Sequence, residues 1–125
     1  MKSILIIDDD LTSNLMSEKA LLNVYPDSDV FIIPSGKDAI NYLNRLEAFP
    51  KVIVLDINMP DFNGWEFLDE YIENGWHNIH GTKVFMLSHS DKMEDLERIE
   101  KYNPLVVSYI LKPLNKFEIE EKIKL

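Results

Sequence analysis

Five short aliphatic runs, at residues 4–7, 30–33, 52–55, 84–87 and 106–111, set what this chain can fold into. They lack the strict polar alternation of a half-exposed strand, which is the pattern of strands covered on both faces. Longer stretches with apolar residues at helical spacing separate them, and each opens near a residue able to cap a helix. Thr12 or Ser13 is the expected cap of the first helix, whose apolar side carries Leu15, Met16, Leu21 and Leu22. The second opens at Ser35-Gly36-Lys37-Asp38 and carries Ala39, Ile40, Leu43 and Leu46. Trp65, Phe67, Leu68, Tyr71 and Ile72 mark the third. Ser90 or Asp91 would cap the fourth, with Met93, Leu96, Ile99 and Tyr102 on one face. The fifth runs from about Asn115, with Phe117, Ile119 and Ile123 as its apolar side.

Strand–helix alternation five times over predicts an α/β fold, a parallel sheet with helices on both faces and right-handed crossovers. The chain has 125 residues, the size of one domain. At that length the expected solution is a flavodoxin-like, doubly wound (βα)5 arrangement with five parallel strands in the order 2-1-3-4-5. Residues 1–125 read as a single domain with no internal repeat, and the last helix, ending near Leu125, leaves no room for an output domain.

A formal net charge of -9, with Lys and Arg scattered singly, argues against a nucleic-acid partner, because such a surface repels a phosphate backbone. The absence of cysteine excludes disulfides, thiolate metal sites and Cys nucleophiles. The apolar run after Lys2 and Ser3 is too short for a signal sequence, and no segment approaches the roughly 18 apolar residues of a membrane span. The expected setting is the cytoplasm, with no membrane contact.

In open α/β sheets a site forms beyond the carboxyl ends of the strands. The first run is followed by Asp8, Asp9 and Asp10, the third by Asp56, the fourth by Ser88 and the fifth by Lys112 and Pro113. Only the second, expected at the sheet edge, ends in unremarkable residues. Carboxylates, a hydroxyl and one lysine therefore converge on one rim. Three carboxylates about 5 Å apart repel by roughly 3 kcal/mol per pair at an effective dielectric near 20, about 10 kcal/mol in all. That is comparable to the stability of a whole domain. A divalent cation together with one lysine balances three carboxylates, and hard oxygen ligands suit Mg²⁺.

These residues match a known pattern. The runs Ile4-Leu5-Ile6-Ile7-Asp8-Asp9-Asp10, Leu55-Asp56-Ile57-Asn58-Met59-Pro60-Asp61-Phe62-Asn63-Gly64, Leu87-Ser88 and Tyr109-Ile110-Leu111-Lys112-Pro113 resemble the receiver domains of two-component response regulators over essentially the whole chain. The resemblance implies that Asp56 is the phosphoacceptor and that Asp8, Asp9, Asp56 and the backbone carbonyl of Asn58 hold Mg²⁺. It implies that Ser88 bonds the phosphoryl oxygen, that Lys112 pairs with the phosphoryl group, and that a cis bond before Pro113 aims Lys112. Asp10, one place beyond the pair, stays outside the metal's ligands. Tyr109 matches an aromatic switch residue that turns inward when Ser88 shifts, changing the surface of helix 4, strand 5 and helix 5. The implied partners are a sensor histidine kinase or a histidine phosphotransfer protein, and a downstream protein target on that surface. The implied activity is signalling, in which the protein takes part in its own phosphoryl transfer and dephosphorylation without being an enzyme in the ordinary sense.

Two positions depart from the family pattern. His89 follows Ser88 where a small residue is usual, and it either narrows access to Asp56 or points to solvent. Ser108 precedes Tyr109 where Gly or Ala is common. His77 and His80 are spaced for a metal but lack an evident third ligand, and read as loop histidines. Trp65 and Trp76 read as packing residues.

Two other functions compete. Asp8-Asp9-Asp10-Leu11-Thr12 also fits the nucleophile motif of haloacid dehalogenase-like phosphatases, with Asp8 as nucleophile, but the acidic pair those enzymes need after the lysine strand is missing. The other is an interaction module that keeps the fold and works without phosphorylation, favoured only by His89.

Overall fold

The computed structural model describes residues 2–90 and 92–125. The elements, in order, are β1 (Ser3–Ile7), α1 (Leu11–Val24), β2 (Asp29–Ile33), α2 (Gly36–Leu43), β3 (Val52–Asp56), α3 (Gly64–Glu73), α4 (Trp76–Ile79), β4 (Lys83–Ser88), α5 (Met93–Glu100), β5 (Val106–Leu111) and α6 (Lys116–Lys122). All five strands run parallel in one sheet of order β2-β1-β3-β4-β5, as the alternation predicts.

Side chains alternate across a strand, and the sheet divides the core into two layers accordingly. Leu5, Ile7, Ile53, Leu55, Val84 and Met86 face α2 and α3, meeting Ala39, Leu43, Phe67, Leu68 and Tyr71. Ile4, Ile6, Val52, Val54, Phe85 and Leu87 face the other way, onto Leu21 of α1 and onto Ile119 and Ile123 at α6. Each such aliphatic side chain contributes about 2 kcal/mol by leaving water. The expected packing roles of Trp65 and Trp76 hold, since both are buried in the α3 layer. The edge strand β2 departs from the two-sided covering expected of the runs: as the last strand on its side of the sheet it leaves Phe31 exposed.

The helix caps are partly as expected. Ser35 caps α2 by accepting the Asp38 amide proton, and Asn115 caps α6 in the same way with Glu118. Asn63 and Glu66 form a reciprocal capping box at α3. The first helix is capped by Asp10, which accepts from the Ser13 amide, instead of by Thr12 or Ser13. Its buried face is Asn14, Ser17 and Leu21, while the expected apolar residues Leu15, Met16 and Leu22 are exposed. The cause is local: the Asn14 amide donates to the Asp8 carbonyl at 2.8 Å and turns that side of the helix inward.

Four more differences concern the later helices. The polar stretch expected to be a loop holds the short helix α4, which carries His77, so helices 4 and 5 of the sequence reading are α5 and α6. Helix α5 is entered from Lys92 without a side-chain cap, and the Ser90 amide donates instead to Ser88 Oγ. Asp91, the other expected cap, lies outside the described residues. No residue of α5 is buried: Met93 and Leu96 are exposed, and Ile99 and Tyr102 are half-buried. Phe117, assigned to the apolar side of α6, is 80% exposed, since the residues packed inward there are Ile119 and Ile123.

Candidate functional site

Strand register builds the rim step by step. Ile7 of β1 stands beside Leu55 of β3, so Asp8 and Asp56 leave the sheet at neighbouring points. Asp56 stands beside Leu87, and the Ile57 amide donates to the Leu87 carbonyl at 3.1 Å. Ser88 stands beside Leu111, and the Lys112 amide donates to the Ser88 carbonyl at 2.8 Å. The bond between Lys112 and Pro113 is cis.

The side chains meet where the backbone aims them. One carboxylate oxygen from each of Asp8, Asp9 and Asp56 lies within 4.8 Å of the others. The Lys112 ammonium is 2.7 Å from Asp8 Oδ2 and 3.2 Å from Asp56 Oδ1. Asp8 and Asp56 are 1% and 3% exposed, whereas Asp9 faces solvent and forms the open side of the cluster. A cation could approach past Asp9 and keep water ligands there.

The charges perturb one another. Burial first, then the Asp8 carboxylate, raise the pKa of Asp56 from 3.8 to about 6 against the opposing pull of Lys112. Burial alone disfavours the Lys112 ammonium. Its hydrogen bond to Asp8 and the charges of Asp56 and Asp8 outweigh that, and its pKa is raised.

Several positioning residues escaped sequence reasoning. Asp8 Oδ1 accepts the Asp10 amide proton at 3.0 Å, and Oδ2 accepts the Ser13 hydroxyl at 2.9 Å. Asn14 holds the Asp8 backbone. Gly64 packs on the far side of Asp56, and its amide donates to the Ile57 carbonyl at 2.9 Å. A Cβ at Gly64 would sit 2.7 Å from the Asp56 carbonyl oxygen. A serine and an asparagine one helical turn after an Asp pair are the available sequence signal, but many helix starts share it.

The remaining expected residues fall around this cluster. Asn58 is exposed two places beyond Asp56, at the start of the β3–α3 loop. Ser88 is fully buried and its Oγ accepts the Ser90 amide proton at 3.2 Å. Tyr109 stands beside Met86, half-buried, with a shielded hydroxyl that has no hydrogen-bond partner among the described residues. Asp10 is occupied as the α1 cap. His89 is exposed and, with Ser13, Met16, Lys112 and Pro113, lines a cavity of about 310 Å³ beside the cluster.

Residues 4–124 match the family model described as the response regulator receiver domain. The fold superposes on a two-component response regulator from Cytophaga hutchinsonii with a TM-score of 0.86 and 30% identity, covering 97% of this chain and 92% of that one. A two-component response regulator from Legionella pneumophila gives a TM-score of 0.83 at 27% identity, covering 97% and 94%. The transcriptional regulatory protein CpxR homolog of Haemophilus influenzae is 27% identical over 124 residues, which are 99% of this chain and 49% of that protein.

Proposed function

Because this chain belongs to the response regulator receiver domain family, a signalling family whose members are phosphorylated by histidine kinases, we propose that it accepts a phosphoryl group on Asp56 and passes the signal on through a changed protein surface. One observation carries the reading: Lys112 bridges Asp8 and Asp56 while Asp8, Asp9 and Asp56 converge within 4.8 Å.

The donor set fits a hard cation. All its side-chain donors are carboxylate oxygens, two buried and one open to solvent, which suits an ion that retains several waters. Asp8, Asp9, Asp56 and the Asn58 carbonyl would hold Mg²⁺. When bound, it neutralises charge on the transferring phosphoryl oxygens. An Asp56 carboxylate oxygen bonds phosphorus as the bond between phosphorus and the donor's histidine nitrogen breaks. With its pKa near 6, Asp56 is ionised at neutral pH yet more basic than an ordinary aspartate. Lys112 supplies fixed positive charge where the phosphoryl oxygens arrive. Asp8 is the weaker nucleophile, since both its oxygens are already engaged. That disfavours the phosphatase reading. The same cluster, open past Asp9, admits a water molecule whose oxygen would bond phosphorus as the bond to the Asp56 oxygen breaks, releasing inorganic phosphate.

The output follows from Ser88 and Tyr109. Ser88 would turn its hydroxyl from the Ser90 amide to the phosphoryl group. The Tyr109 hydroxyl, without a partner among the described residues at a cost of about 1–3 kcal/mol of lost hydrogen bonding, favours a second packing in which it finds one. Helix α5, with no buried residue, is the helix least held against such a change. The face formed by α5, β5 and α6 exposes Met93, Val107, Leu111 and Phe117 and is the surface offered to a downstream protein. The phosphoryl donor is a histidine kinase or histidine phosphotransfer protein, which can pack on exposed Leu11, Leu15 and Met16 near the Lys112 mouth. Among the described residues no helix is long and apolar enough to cross a membrane. The reading includes one receiver domain over residues 1–125, acting in the cytoplasm.

The test is incubation with acetyl phosphate and Mg²⁺. The intact mass should rise by one phosphoryl group, and Asp56→Asn should abolish the gain. No gain at any donor concentration would favour the phosphorylation-independent module, which the exposed His89 at the mouth of the site also fits.

A further inference from the structure

The opposite rim of the sheet carries a second feature that the phosphoacceptor chemistry does not use. A cavity of about 500 Å³ opens between the end of α3, helix α4, the start of β4 and the loop before β5. Lys83 at this rim and Ser88 at the other are the two ends of β4, so the cavity lies roughly 17 Å from the carboxylate cluster.

Its lining runs against the character of the whole chain. The protein has 22 acidic residues and 13 Lys and Arg, yet Lys83, Lys101, His77 and His80 all line this cavity and no Asp or Glu does. None of the ion pairs among the described residues involves any of the four. Asp69, which accepts from the Tyr102 hydroxyl, is itself not part of the lining. Asn78 and Asn103 add amide donors, and Ile72 and Leu105 supply an apolar floor.

One of the four side chains is fixed in place. The His80 ring lies flat on Phe49, with centroids 3.6 Å apart and planes 6° from parallel. Phe49 is in turn packed edge-on against Trp76 and Tyr71. The stack holds one ring face and leaves the nitrogen edge without a hydrogen bond to protein among the described residues.

We propose that this cavity binds a small organic anion, recognised by phosphate or carboxylate oxygens at Lys83, Lys101 and the two histidines and by an apolar body on Ile72 and Leu105. Its volume is in the range of pockets that bury a small-molecule ligand. Two lysines outside any ion pair among the described residues, with imidazole and amide donors and no carboxylate in the lining, suit anionic oxygens. The site is separate from Asp56.

The test is an amide-resolved NMR titration of the full chain in magnesium-free buffer with inorganic phosphate, citrate and adenosine monophosphate as probes. At least one probe should saturate with a midpoint below about 1 mM. The shifted amides should cluster at 77–83 and 101–105, leaving 8–10 and 56–58 unmoved. Saturation by phosphate and the nucleotide but not citrate identifies a phosphorylated ligand, and saturation by citrate alone a carboxylate. The exposed pair Lys83→Gln with Lys101→Gln should weaken the saturating probe about tenfold while the spectrum stays dispersed. His77→Gln, on the other wall, should weaken it too. No saturation by any probe below that midpoint, shifts mapping to another surface, or an affinity indifferent to these variants would overturn the proposal.

Discussion

Lys112 reaches Asp8 Oδ2 at 2.7 Å, and both side chains are almost wholly shielded from water. The lysine occupies the charge-balancing place that a bound cation would share. Its replacement by methionine leaves two buried carboxylates facing an exposed third. In metal-free buffer Lys112→Met should therefore lose about 3 kcal/mol of stability, as expected when one partner of a buried pair is removed. Magnesium should restore part of the loss, so the rise in Tm on adding it should exceed that of the unaltered protein. Equal rises, measured by thermal melts with and without Mg²⁺, would mean that lysine and cation do not act on the same carboxylates.

The raised pKa of Asp56 makes a signed prediction about pH. An acid whose pKa is higher folded than unfolded binds more protons in the native state between the two values, so stability falls as pH rises through that window. For Asp56 the window runs from 3.8 to about 6. Asp56→Asn removes this contribution. The variant should be more stable than the unaltered protein at pH 7 without metal, by up to about 3 kcal/mol, and the difference should vanish near pH 4. Denaturant melts across that range decide it. A variant of lower stability at pH 7 would remove the case for net repulsion at Asp56.

The rim was legible because its residues follow directly from strand ends: once residues 4–7, 52–55 and 106–111 are strands, Asp8, Asp56 and Lys112 have nowhere else to go. The sheet order followed from the alternation for the same reason. Helix faces were less legible. Periodicity put Leu15 and Met16 inward, but the bond from Asn14 to the Asp8 carbonyl turns Asn14 and Ser17 in and leaves the larger apolar residues outside. Phe117 was misplaced because the residues packed into the core there are Ile119 of α6 and Ile123, which follows it. The cavity beneath the sheet was invisible because it joins His77 and Lys101, which only the tertiary fold brings together.

Ser13 and Asn14 both serve Asp8, one through its carboxylate and one through its backbone, and their variants should separate accordingly. Ser13→Ala removes a donor from Oδ2 near the surface, costing about 1 kcal/mol or less of stability while loosening a proposed metal ligand. Asn14→Ala leaves a buried carbonyl unsatisfied and should cost about 1–3 kcal/mol. Calorimetric titration with Mg²⁺ should show the larger affinity loss in Ser13→Ala, and denaturant melts the larger stability loss in Asn14→Ala. The reverse ranking would mean that Asp8 is held chiefly through its backbone.

Gly64, where the loop after β3 enters α3, and Gly75, between α3 and α4, separate a cost of close packing from one of backbone conformation. An added Cβ at Gly64 meets the Asp56 carbonyl oxygen at 2.7 Å and Ile57 Cα at 3.0 Å, both backbone atoms that cannot rotate away. At Gly75 the same Cβ meets nothing within 4 Å, and the cost comes only from its φ of 76°. Gly75→Ala should therefore cost about 1 kcal/mol. Gly64→Ala should cost about 2–3 kcal/mol, in the range of overpacked sites. Because the strain falls on the Asp56 backbone, Gly64→Ala should also slow phosphoryl uptake from acetyl phosphate, whereas Gly75→Ala should leave the rate alone. Melting curves and time-resolved intact mass read the two effects separately. An unchanged uptake rate in a destabilised Gly64→Ala would show that the loop yields without moving the acceptor carboxylate.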